Sequence, residues 1–255
     1  GVVASALGRK RGLMIAAVLF IISAVGSAYP EMGFPHGAPH TFLTQFIIYR
    51  IIGGVGVGLA SMLSPMYIAE MAPASRRGGL VAWNQFAIIF GMLVVYFVNY
   101  FIALNGDEAW LTSTGWRLMF LSEVIPAALL FLLVLGVPES PRWLIMKGRE
   151  AKAVAILERI NGAPEAEVEA QSIRRSLHGT VKAKLFSYGV GVIVIGMLLS
   201  VFQQFIGINV VLYYAPEIFR NMGMGTNAAL AQTIIVGVIN LSFTVLAIFT
   251  VDRFG

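Results

Sequence analysis

The stretch 41–70, TFLTQFIIYRIIGGVGVGLASMLSPMYIAE, runs for 30 residues with two charged side chains, Arg50 and Glu70. At about 1.5 Å of rise per residue it is more than long enough to cross about 30 Å of hydrocarbon, so it reads as a membrane-spanning helix. Five other blocks share this character: 13–29, 80–104, 118–137, 186–214 and 228–250. Of the 255 residues 58% are hydrophobic and 12% charged, about half the charge of an average soluble domain, which excludes a water-soluble globule. The fold class is therefore an all-α membrane protein. A basic start followed by an apolar run imitates a secretory signal, but five further spans argue against a cleaved one.

Orientation follows from the basic residues, because short basic loops stay on the cytoplasmic side. Segments 1–12, 71–79, 138–185 and 251–255 hold 3, 2, 9 and 1 of them, while 30–40, 105–117 and 217–227 hold 0, 1 and 1. The first span thus runs outward and the 138–185 connection is cytoplasmic. Helix-like stretches near 149–160 and 164–177, separated by the breaker Asn161-Gly162-Ala163-Pro164, make that connection a small helical subdomain. The net charge of +5 does not point to nucleic acid, since the basic residues sit between apolar blocks and line no soluble face. With no cysteine, disulfides, thiolate metal sites and thiol nucleophiles are out.

Gly54-Val55-Gly56-Val57-Gly58 and Gly189-Val190-Gly191 resemble fragments of a phosphate-binding loop. Both are embedded in spans, where small residues serve close helix packing. Ionisable residues inside spans face a partner or a water-filled cavity. Arg50 and Glu123 lie at similar depth, roughly 10 Å from the outer surface at helical rise, so they can meet, either as a static bridge or in a coupling role. Gln203, Gln204 and Asn209 fall in the fifth span, Asn240 in the sixth and Gln85 in the third. Uncharged amides that donate and accept suit a polyhydroxylated ligand such as a sugar, with interhelical hydrogen bonding as the alternative. Tyr213-Tyr214-Ala215-Pro216 closes the outer end of span five, as an interfacial belt or an outer gate. At the inner span ends stand Arg9 and Lys10, Glu70 with Arg76 and Arg77, Glu139 with Arg142, and Asp252 with Arg253. They form either a solvated face or a salt-bridge lattice that holds the inner side shut. His36, His40 and His178 fall in loops, and neither a metal cluster nor a cofactor site is expected.

Several motifs, in order and at spacing, resemble the sugar porters of the major facilitator superfamily: Gly8-Arg9-Lys10, Tyr49-Arg50-Ile51-Ile52-Gly53-Gly54, Glu70-Met71-Ala72-Pro73 through Arg76-Arg77-Gly78, Gly115-Trp116-Arg117, Pro138-Glu139-Ser140-Pro141-Arg142-Trp143, Gln203-Gln204-Phe205-Ile206-Gly207-Ile208-Asn209 and Asp252-Arg253-Phe254-Gly255. The resemblance covers essentially the whole chain. It implies a twelve-span major facilitator fold of two six-helix halves with a central sugar site and alternating access. It implies sugar-contacting roles for Gln85, Gln203, Gln204, Asn209 and Asn240, outer-gate roles for Tyr213 and Tyr214, and proton-coupling roles for Arg50 and Glu123. The inner lattice would comprise Arg9, Glu70, Arg77, Glu139, Arg142, Asp252 and Arg253. Two positions depart from the family. Ser5 and Ala6 replace an acid and a base in the first inner-loop motif, and Met92 stands where a proton-coupled pentose member has a second glutamine.

The resemblance further implies a fragment with about six of twelve spans, running from the end of the family's second helix through its eighth and unable to transport alone. Residues 1–137 are then part of the N-terminal bundle, 138–185 the cytoplasmic linker and 186–255 the start of the C-terminal bundle. The expected function is proton symport of a monosaccharide, pentose or hexose, in a bacterial inner membrane. The partners are the sugar, the proton and the lipid bilayer. A facilitative uniporter and a non-transporting sugar sensor are the alternatives, and no enzymatic activity is expected.

Overall fold

The computed structural model describes residues 2–32, 41–73, 77–178 and 189–254. His36, His40 and Arg76 lie outside the described residues, as do the side chains of His178, Asp252 and Arg253. The order is α1 (Val2–Leu7), α2 (Arg9–Ala28), α3 (Thr41–Met71), α4 (Arg77–Ala103), α5 (Glu108–Trp110), a π-helical turn (Leu111–Gly115), α6 (Trp116–Ser122), α7 (Val124–Gly136), α8 (Pro141–Met146), α9 (Glu150–Asn161), α10 (Ala163–His178), α11 (Val190–Phe205), α12 (Ile208–Asn221) and α13 (Thr226–Phe254). Six stretches are long and apolar enough to cross a membrane: Arg9–Ala28, Phe42–Met71, Arg77–Ala103, Glu108–Gly136, Val190–Asn221 and Thr226–Thr250.

Helix α2 packs against α3, α6 and α7, and α13 packs along α4 and α12. Close approach depends on small residues. Gly53 fits against Ser23, and a Cβ on Gly56 would lie 3.1 Å from the Phe20 ring and 3.3 Å from the Ala16 carbonyl. The packing role expected of the glycine run therefore belongs to Gly56, since Gly54, Gly58, Gly189 and Gly191 face open space in the described chain. Ala4, Leu13, Leu63 and Val134 form a small core at one end of this bundle. A second core joins α8, α9 and α10 through Trp143, Leu144, Ile145, Ala153, Leu157, Ala166 and Ala170. The i, i+4 pairs Ala153/Leu157 and Ala166/Ala170 put one apolar stripe on each of α9 and α10, so the two helices can close on each other. Their separation at Gly162 agrees with the breaker sequence.

Two spans differ from the uniform helices expected. The fourth is divided, with a π turn at 111–115 and a junction at Glu123 between α6 and α7. The fifth breaks at Gly207, whose φ of 76° is left-handed and natural only for a residue without a Cβ. The chain then resumes as α12 and runs through Pro216 to Asn221, so Pro216 lies inside a helix and not at its end.

Candidate functional site

A bonded node lies at the first turn of α2. Arg9 reaches Glu70 at 2.7 Å and the Ala4 carbonyl at 2.9 Å. The other Glu70 oxygen accepts the Ser140 hydroxyl. Glu139 Oε1 accepts the backbone N–H groups of Arg9 at 2.9 Å, Lys10 at 3.1 Å and Ser140 at 2.9 Å. A carboxylate set on the otherwise unpartnered N–H groups of a helix start satisfies them and complements the helix dipole. Gly8 permits this approach, because its φ of 88° is left-handed and a Cβ there would collide with Glu139 Oε2. Tyr67 adds a hydrogen bond to the Pro138 carbonyl at 2.8 Å.

The partners are not the charges nearest in sequence. Glu139 binds the α2 backbone and not Arg142, and Arg142 has no ion pair among the described residues. Arg77 pairs with Glu169 of α10 at 3.4 Å, fastening the start of α4 to the cytoplasmic helices, and not with Glu70. Ser140, absent from the expected set, is fully buried; it precedes Pro141 at the first position of α8, a helix-start signal readable from sequence.

Arg50 and Glu123 do meet, but loosely. Their nearest atoms are 3.9 Å apart, and the side chains are 48% and 45% exposed. The Arg50 guanidinium also lies 5.3 Å from the centre of the Phe120 ring. Glu123 is held at the α6–α7 junction, where its N–H donates to the Phe120 carbonyl at 3.1 Å.

The amides do not line a single cavity. Gln204 accepts from Asn209 at 3.1 Å across the Gly207 break, while Gln203 is exposed on α11, a helix in which no residue is buried. Gln85 lines a groove of about 990 Å³ between the Arg77 end of α4 and α13, together with Trp83, Phe243 and Thr244. Asn240 lies one turn before that groove, and its carbonyl accepts the Thr244 hydroxyl at 2.9 Å.

Tyr213 and Tyr214, 68% and 60% exposed, line an outer cavity of about 540 Å³ with Trp116, Glu217 and Arg220. Tyr213 also borders a second cavity of about 390 Å³, whose lining includes Met92, Tyr96, Asn99 and Glu123. Here Tyr96 donates its hydroxyl to the Leu212 carbonyl at 2.7 Å, joining α4 to α12. Pro216 has no N–H to offer the carbonyl four residues earlier, so Leu212 is left with a free acceptor that Tyr96 satisfies. Sequence reading missed Tyr96 because neither residue signals the contact until the helices are placed. A further outer pair joins Arg117 to Glu31 at 2.5 Å, and Arg117 also donates to the Ala28 carbonyl at 3.0 Å. Burial raises the Glu31 carboxyl, but its own backbone N–H and Arg117 outweigh burial and hold it below the usual carboxylate value.

Membrane-length helices interrupted at Glu123 and Gly207, with bonded helix ends and polar groups on the spans, define a multi-pass membrane protein. The chain belongs to the Sugar (and other) transporter family, which matches residues 1–255. It is 59% identical to the D-xylose-proton symporter of Escherichia coli K12 over 100% of this chain and 54% of that protein. It is 42% identical to the arabinose-proton symporter of Bacillus subtilis, over 100% of this chain and 54% of that one. The glucose facilitated diffusion protein of Zymomonas mobilis is 38% identical, with 97% of this chain and 53% of that protein covered. Among solved structures, the partially occluded inward-open xylose transporter XylE from E. coli matches with a TM-score of 0.89 and 57% identity, covering 100% of this chain and 58% of that chain. XylE bound to 6-bromo-6-deoxy-D-glucose matches with a TM-score of 0.89 and 59% identity, covering 100% and 56%. The chain thus spans about half the length of the relatives it matches.

Proposed function

We propose that this chain is part of a secondary active transporter that carries a monosaccharide together with protons, by alternating access, across a bacterial inner membrane. The observation that carries this reading is that Glu123, a titratable carboxylate beside Arg50, borders the same cavity as Tyr213. Protonation of Glu123 weakens its attraction to Arg50, and the cavity relays that change to α12 and its tyrosines. Gln85, Gln203, Gln204, Asn209 and Asn240 supply uncharged donors and acceptors for sugar hydroxyls. Tyr213 and Tyr214 close the outer side. Arg9, Glu70, Arg77, Glu139, Arg142, Asp252 and Arg253 serve the inner closure. Residues 1–137 belong to the first helix bundle, 138–185 to the cytoplasmic linker and 186–255 to the second bundle. Pentose and hexose relatives alike support a monosaccharide, and Met92 offers only an apolar side chain to the second cavity.

The test is uptake of labelled xylose, arabinose and glucose by the gene product in proteoliposomes, with and without an inward proton gradient. Accumulation above equilibrium that requires the gradient is expected for at least one sugar, and Glu123→Gln should abolish it while sparing counterflow exchange. Saturable uptake that only equilibrates, with or without the gradient, would establish facilitated diffusion instead.

A further inference from the structure

The outer cavity of about 540 Å³ and the second cavity of about 390 Å³ share three lining residues, Tyr213, Pro216 and Leu230, so one continues into the other past a waist. The mouth is polar: Thr112 and Thr226 line it, with Glu217 and Arg220 more than half exposed and 3.7 Å apart. Beyond the waist the crevice reaches Glu123, beside Tyr96 and Asn99 of α4. The Tyr96 hydroxyl gives its hydrogen to the Leu212 carbonyl and keeps its acceptor, and the Asn99 amide makes no hydrogen bond among the described residues. Thr233 lines this part with its hydroxyl spent on the Ala229 carbonyl at 2.8 Å, and the remaining wall is apolar. Gln85, Gln203, Gln204, Asn209 and Asn240 line neither part.

We propose that this crevice is the route by which protons from the outer side reach Glu123, separate from the path of the sugar. The inference rests on the coupling role given to Glu123 above. Glu123 lies roughly 10 Å below the outer surface at helical rise. At that depth an exposed side chain meets water only where a polar route joins it to the surface. Both parts of the crevice far exceed the share of roughly 30 Å³ that one water takes, and water persists where several polar groups hold it. Thr112, Glu217 and Arg220 supply them at the mouth, the Tyr213 hydroxyl at the waist, and Tyr96 and Asn99 beside the carboxylate. A proton passed along such waters adds to the Glu123 carboxylate, which becomes a neutral acid and no longer balances Arg50, 3.9 Å away. Arg50 of α3 is the charge set against Glu123, and Tyr96 of α4 and Tyr213 of α12 are the titratable groups that share its cavity. Sugar held by the amides does not obstruct this route. Leu230, half-buried at the waist and without a polar group, sets the width of the passage.

The experiment places the gene product carrying Leu230→Cys in proteoliposomes, beside the parent protein treated identically, and adds a membrane-impermeant sulfonated methanethiosulfonate from the outer side. The new thiol should be modified from that side. The adduct should slow proton-driven sugar accumulation by about tenfold, equivalent to about 1.4 kcal/mol on the barrier to proton entry, and dithiothreitol should restore the rate. Counterflow exchange, which moves sugar without net proton transfer, should keep its unmodified rate. Failure of the reagent to reach the thiol, full modification without slowing, or equal slowing of counterflow overturns the proposal, the last by placing Leu230 on the sugar path. Glu123→Gln separates the two levels. Accumulation lost in that variant but intact in modified Leu230→Cys overturns the crevice alone, whereas accumulation retained in Glu123→Gln overturns the coupling reading beneath it.

Discussion

Arg9 and Glu70 meet at 2.7 Å with side chains 9% and 12% exposed, whereas Arg50 and Glu123 stand 3.9 Å apart at 48% and 45%. The same two charges thus make two different devices. At the inner node both Glu70 oxygens have a defined donor, and removing one partner strands a buried charge. At the outer pair the separation exceeds a hydrogen bond and solvent or another group can reach both members. The first geometry is a short, nearly buried contact, while the second leaves both groups accessible.

The sharpest test of this contrast is Glu70→Gln, which should lower stability by about 3–5 kcal/mol because Arg9 is left without its counter-charge. Thermal unfolding in detergent reads this, and a loss below that of an ordinary surface substitution would show that the node is not a structural lock. Tyr96→Phe comes next, since it strands the Leu212 carbonyl beside Pro216 and should cost about 1–3 kcal/mol. That loss should disappear in the background Pro216→Ala, where an N–H is restored to the helix. Glu123→Gln should change the melting behaviour by less than about 1 kcal/mol, as expected of an exposed pair. A large destabilisation would make Arg50 and Glu123 architectural and remove the contrast.

The smallest effect concerns pH. Glu31 is held below its ordinary value of 4.5, so the stability contributed by its contact with Arg117 is complete above that value and is lost as pH falls through the lowered one. Melts recorded as the buffer is acidified past 4.5 should show a downward step that Glu31→Gln removes.

The spans were legible because hydrophobic run length is what a bilayer demands of a helix: four of the six lie within four residues of the expected limits, while the fourth begins ten residues earlier, at Glu108, and the fifth ends seven later, at Asn221. Their interruptions were not. Ile206-Gly207-Ile208 is as apolar as its neighbours, so hydropathy carries no trace of the left-handed turn there. Pro216 read as an end because proline breaks helices in isolation; it is tolerated here because a tyrosine from another helix supplies the missing donor. Charged positions on the inner face were visible, but their partners depended on three-dimensional placement. Arg77 reaches Glu169 and Glu139 reaches the backbone of α2, while the nearer candidates in sequence stay apart. The amides were visible for the same reason, and their distribution over a groove and an exposed helix was not.

The Glu139 cap has a consequence for the order in which the protein is made. Its acceptor oxygen and the Arg9 N–H that it receives are 130 residues apart in the chain. At about 5–20 residues per second, a ribosome needs roughly 6–26 s between placing one and placing the other. Once residue 71 has been added α2 and α3 are complete, yet the first turn of α2 still lacks its carboxylate and Glu70 lacks Ser140. The node therefore closes only after the span that ends in α7 has been synthesised. A nascent chain stalled before residue 139 would carry an unsealed helix end into the cell's quality control.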